Sequence, residues 1–145
     1  MPETLNGKPT ANFWIIAGVA LIWNLIGLTF YYLEVTASSE ALSSLTEAQQ
    51  RFLASKPLWA TSAYAIAVSA GVLGSLFLLL KKAWAVMMFG VSLAGVVLQN
   101  LHAFLVAGGL DVWGPTGLIL PTIVLIIAIA LFMYSRYARE RGWLG

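Results

Sequence analysis

Hydrophobic positions gather into four long runs, Phe13–Leu33, Leu58–Leu80, Ala83–Val106 and Gly117–Tyr137, separated by shorter polar segments. Each run holds about 21 to 24 residues. At about 1.5 Å per residue, 21 residues reach about 31 Å, enough to cross a hydrocarbon core of about 30 Å. The pattern therefore predicts four transmembrane helices. Only Lys81 and Lys82 separate the second run from the third, which makes those two helices a tight antiparallel hairpin. Residues 34–57 form a longer connection, and within it "SLTEAQQRFLASKP" predicts a short helix. Ser44 and Glu47 have the S-x-x-E capping-box spacing, Leu45, Ala48, Phe52 and Leu53 recur on one face, and Pro57 ends the segment. Such a helix lies on the membrane surface, caps the bundle, or is a plain connector. The expected fold is all-α: an antiparallel four-transmembrane-helix bundle, one membrane domain over 1–145, with a tail at 138–145.

Composition agrees. Sixty per cent of the 145 residues are hydrophobic and 10% are charged, with a mean hydropathy of +0.86. A soluble domain carries about 25% charged residues, so a chain this apolar could not cover a water-facing surface. There is no cysteine, which excludes disulfides, thiol redox chemistry and cysteine metal sites. A net charge of +2, with the basic residues at the edges of apolar runs, argues against nucleic acid. No cofactor is expected: His102 is the sole histidine, so bis-histidine haem ligation within one chain is impossible and a zinc site lacks ligands.

Charge also orients the bundle. With both termini in the cytoplasm, that side holds Lys8, Lys81, Lys82, Arg136, Arg139 and Arg141. The opposite side holds Arg51 and Lys56 beside Glu34, Glu40, Glu47 and Asp111, as the positive-inside rule requires. Trp14, Trp84 and Trp143 then fall at the inner boundary and Trp59 and Trp113 at the outer, where amphipathic rings anchor, and Trp23 sits at mid-depth. The first run is too long for a signal peptide, has only Lys8 before it, and places Tyr31, Tyr32 and Glu34 beside the small residues at 35–37, so it is expected to stay as a helix.

Polar residues within the runs fall into stripes. Asn24, Gly27, Tyr31 and Glu34 share one face of the first span; Ser92, Gly95, Gln99 and His102 have the same spacing on the third. Ala63, Ala67, Gly71 and Ser75 make a small-residue ridge on the second, with Tyr64 beside it, suited to close helix packing. The fourth span is nearly all aliphatic apart from Pro121 and Thr122, which marks it as the most lipid-exposed helix or an oligomer face. Polar groups cost free energy against lipid, so the stripes should turn inward. The expectation is one externally accessible polar pocket built from Asn24, Tyr31, Glu34, Tyr64, Gln99 and His102, with Gln99 and His102 facing the first-span stripe and His102 and Glu34 as its proton-sensitive pair. Asn100 points about 160° away from His102 around the helix and must serve another neighbour. The alternative is that these groups serve only as hydrogen-bonding glue between helices.

The stretches "WNLIGLTFYYLEV", "GVLGSLFLLLKKAWAVMMFGVSLAGVVLQNLHAF" and "ARERGWL" resemble a family of small four-span proteobacterial membrane proteins often labelled "sugar transporter". The resemblance covers nearly the whole chain and rests on packing motifs rather than chemical ones. It implies a bacterial inner-membrane location, and its label implies a sugar-like ligand. Besides the lipid bilayer, the expected partner is a second copy of the chain or another membrane protein. Two functions follow from these residues. The first is a non-enzymatic scaffold or accessory subunit, which would bind a partner through the small-residue ridge or span four. The second is an oligomeric transporter or small-ligand binder, which would use the outer polar pocket.

Overall fold

In a computed structural model the described residues are 8–145, so the first seven residues of the expected domain lie outside them. Four helices are long and apolar enough to cross a membrane. They are α1 (Ala11–Val35), α4 (Leu58–Leu79), α5 (Trp84–Leu101), which a π-helical turn extends over His102–Val106, and α7 (Ile119–Glu140), which a 3-10 turn at Pro115–Leu118 leads into. Helices satisfy their own backbone hydrogen bonds, which lipid cannot do for them. Shorter helices α2 (Ser39–Ser43), α3 (Glu47–Ala54) and α6 (Gly109–Trp113) lie in the connections at one end of the bundle, called here the loop end. Lys8, the Lys81–Lys82 turn and Gly145 mark the opposite, termini end.

The long helices pack in series, α1 on α4, α4 on α5 and α5 on α7. The α4–α5 seam is the tightest, because Ala63 and Ala67 meet Gly95 with no large side chain between the backbones. Span four behaves as its aliphatic sequence suggests: no residue of its most apolar stretch is buried within the chain.

Several expectations change in detail. The short helix forms, but its capping box is Thr46 with Gln49 rather than Ser44 with Glu47. Thr46 Oγ1 accepts from the Gln49 N–H, Gln49 Oε1 accepts from the Thr46 N–H, and an additional turn, α2, uses the preceding serines. The α3 helix caps the bundle through Phe52, whose ring stands edge-on to Trp113 of α6 at 5.9 Å. The 138–145 segment is no free tail. Helix α7 runs to Glu140, Gly142 takes a left-handed conformation (φ 78°) that suits glycine, and Trp143 and Leu144 turn back into the core. Trp143, expected as a headgroup anchor, is 8% exposed and packs edge-on to Phe13 at 5.6 Å. The Gly145 N–H donates to Lys81 O at 2.7 Å, and the Ala83 N–H donates to Gly145 O at 2.9 Å. These bonds hold the turn in which Lys81 has φ 56°, an uncommon conformation for a residue with a Cβ.

Candidate functional site: an intramembrane cavity and a polar cap

The two polar stripes are both seated against α4, and Asn24 and Gly27 of one share a single cavity with Ser92 and Gln99 of the other, so the expected facing holds for these members. Along α1, Asn24 Nδ2 donates to Ser75 Oγ at 3.1 Å and to Ala20 O at 2.8 Å, Gly27 lies beside Val68, and Tyr31 stands edge-on to Tyr64 at 5.1 Å. The last member, Glu34, pairs with Lys56 just ahead of α4, Nζ to Oε2 3.0 Å. Along α5, Ser92 Oγ donates to Ala67 O at 2.7 Å, Gly95 abuts Ala63, and the His102 ring stands edge-on to Trp59 at 5.1 Å. The small-residue ridge of α4 lies between the stripes. It is buried in this seam and so offers no surface to a partner. The physical reason is reach: the small side chains of α4 let both neighbours approach, so that Asn24 of α1 meets the Ser75 hydroxyl and Ser92 of α5 meets the Ala67 carbonyl.

Gly71 is the meeting point. A Cβ there would overlap Asn24 Oδ1 and come within 3.3 Å of Ser92 Oγ, so the two stripes converge over this glycine at mid-depth. Towards the loop end their last members part, Glu34 to Lys56 and His102 to Trp59. The expected six-residue pocket therefore separates into three places, and Glu34 finds its cation in Lys56, not in His102. His102 is buried at 6% exposure where α5 passes into the π-turn, whose Ala107 N–H donates to His102 O at 2.8 Å. Sequence periodicity puts His102 on a face that turns inward but cannot reveal the π-turn. Lys56, absent from the expected site, is the cation that Glu34 meets.

Asn24, Tyr64 and Gln99 line one cavity of about 230 Å³, to which all four long helices contribute. Trp23, Phe89 and Val96 add to its walls, and Val124, Ile127 and Ala128 of α7 close the far side. Among the described residues Gln99 has no hydrogen-bond partner, so its amide is available to an occupant. Trp23, puzzling in sequence as a mid-depth tryptophan, is explained as part of this wall. The Lys56–Glu34 pair lies above it: Lys56 Nζ is 5.4 Å from the Tyr64 ring centroid, its side chain is 9% exposed, and Tyr64 contacts the cavity on its inner side. A second, shallower cavity of about 410 Å³ lies between the end of α1, α3 and the start of α4, lined by Glu34, Gln50, Lys56 and Thr61. Tyr31 and Tyr64 thus stand between an outer polar vestibule and an inner apolar cavity.

Among the described residues no three histidine, aspartate or glutamate side chains gather closely enough to hold a metal ion. Fold and site define the class: a small multi-pass membrane protein, an all-α bundle of four apolar helices in contact with the bilayer. No family model, curated protein or solved structure matches the chain.

Proposed function

We propose that the chain is a non-enzymatic, small-ligand-binding protein of the bacterial inner membrane, with both termini cytoplasmic. The observation that carries this reading is the cavity walled by all four spans, where Gln99 presents an amide with no hydrogen-bond partner among the described residues. Ligand sites are concave and mostly apolar, with a few placed polar groups, and this cavity has that character. Its lining includes no histidine, carboxylate or lysine to move a proton, and the hydroxyl of Ser92 is committed to Ala67 O. Basic residues at the termini end support the orientation, and the family resemblance supports the location.

The test is to purify the full chain in mild detergent and identify co-purifying small molecules by mass spectrometry. A bound molecule is expected in the wild type and not in Ala128→Trp, which fills the cavity. Two empty proteins with equal thermal stability would contradict the reading. Fusing cytoplasm-active reporters to each terminus tests orientation, and silence from either overturns it.

A scaffold role has its own supporting observation. Ile119, Ile123, Ile126 and Met133 of α7 are 42–63% exposed, a broad aliphatic face available to a second copy or another membrane protein. Sizing of the purified protein separates the readings: a stable hetero-complex with an empty cavity favours the scaffold.

A further inference from the structure

The cavity lining restricts the chemistry of what can enter. Its surface is mostly hydrocarbon, and Asn24, Tyr64, Ser92 and Gln99 are its main polar members, with no formally charged side chain among them. A charged ligand would give up its hydration without meeting a counter-charge, a cost far above that of any neutral group. A monosaccharide carries about five hydroxyls, each unfavourable to bury unless hydrogen-bonded. The lining cannot serve them: Ser92 donates to Ala67, and both N–H bonds of the Asn24 amide go to Ala20 and Ser75. The hydrogen-bonding groups left over are few and scattered: the Gln99 amide and the Tyr64 hydroxyl towards the loop end, the Trp23 indole N–H and the Asn24 amide oxygen deeper.

The route in is equally restricted. Helices α1 and α7 come together at the termini end, where the Phe13 and Tyr134 rings lie 6.4 Å apart, and scarcely touch elsewhere. At the loop end the cavity rim consists of Ile26 and Phe30 of α1 and Leu120 of α7, which are 47%, 54% and 56% exposed. These are the surfaces of membrane-spanning helices, so the mouth between them opens to lipid. The direct path from water is obstructed by Tyr31 against Tyr64, with the Lys56–Glu34 pair beyond.

We infer that the cavity takes a neutral, chain-bearing amphiphile dissolved in the bilayer, which enters sideways between α1 and α7. Its apolar part lies among Val68, Val96, Val124 and Ile127, and its uncharged hydrogen-bonding head meets Gln99 and Tyr64. This deepens the proposed function and rests on the cavity being a binding site. It replaces the sugar-like ligand that the family label implies with a lipid-soluble one.

Trp23 is a built-in reporter. The full chain in phosphatidylcholine nanodiscs is titrated with a long-chain alcohol brominated near its chain end, and the Trp23→Phe variant is subtracted to remove quenching of the other tryptophans. Saturable quenching of Trp23 is expected. Gln99→Leu, of similar shape but without the amide, should weaken it about threefold to tenfold, the range for one hydrogen bond. Ala128→Trp, read against Ala128→Trp/Trp23→Phe so that the added indole is subtracted as well, should abolish it, and a circular dichroism melt checks that each variant folds. Bromoalkyl sulfate, of fixed charge, should give no saturable signal, and glucose should not compete. Equal saturable quenching by the sulfate, or competition by glucose, would overturn the ligand class and leave the binding-site reading standing. Non-saturable quenching that Ala128→Trp leaves unchanged, with no response to glucose, would overturn both.

Discussion

The two ends of this bundle solve the same packing problem differently. At the termini end Phe13, Leu78, Ala85 and Ala138 are fully buried, Trp143 and Leu144 fold in from the chain's end, and backbone bonds tie Gly145 to the α4–α5 turn. Aromatic edges fill the remaining space, Phe13 against Trp143 and Tyr137 against Trp143, each at 5.6 Å. At the loop end the last members of the polar stripes part and α7 stands off from α1, leaving a cavity. The contrast teaches where this chain invests rigidity. Lipid gives no hydrophobic drive for helix association, so close contact must come from shape and hydrogen bonds. Where the sequence supplies these along α1 and α7 together the bundle closes, and where it does not a space remains.

The largest break in this contrast should come from Phe13→Ala. Removing a fully buried ring from the closed end is expected to cost about 3–5 kcal/mol, whereas Val124→Ala at the cavity wall should cost under about 1.5 kcal/mol. Reversible unfolding in mixed detergent measures both, and similar losses would erase the distinction between the ends. Next in size is Gly71→Ala, whose added methyl overlaps Asn24. Overpacking of this kind costs about 1–3 kcal/mol, and adding Asn24→Ala should restore part of it, a non-additivity that a double-mutant cycle reads directly. Asn24→Leu alone removes the hydrogen bond to Ser75 and should cost about 0.6 kcal/mol, at most about 1.7. Of similar size is Glu34→Gln, expected to cost under about 1 kcal/mol globally because the Glu34 side chain keeps 30% exposure. Its local effect is larger: hydrogen exchange across 36–57 should speed up while α4 and α5 stay protected.

Much of the fold is legible because membrane crossing imposes a coarse rule. Four runs of sufficient length become four helices, and even the hairpin at Lys81–Lys82 follows from counting. Finer features depend on competition between near-equal local choices. Thr46 and Gln49 make as good a cap as Ser44 and Glu47, and the frame that forms is the one in which Phe52 packs on Trp113. Trp143 reads as an interface anchor until the reversal at Gly142 brings it over Phe13. At the candidate site, periodicity identifies which residues share a face but not which neighbour that face meets. Asn24 and Gln99 belong to one cavity, yet Glu34 and His102, equally striped, leave it for Lys56 and Trp59. Lys56 carries no periodic signal because it lies between helices, and so the partner of Glu34 escapes a reading based on spans.

One stripe of α7 crosses the boundary between the two ends. Val124, Ala128 and Leu131 line the cavity, and Ser135 and Ala138, on the same face, are fully buried. The chain has no cysteine, so single cysteines at these five positions can carry spin labels without background. Oxygen concentrates in lipid, and its collision rate with each label in nanodiscs reports access from the bilayer. High access at 124 and 128, falling sharply between 131 and 135 and near zero at 138, is the expected profile. Uniformly low access along the stripe, with no step, would show a bundle closed from end to end and contradict the open cavity.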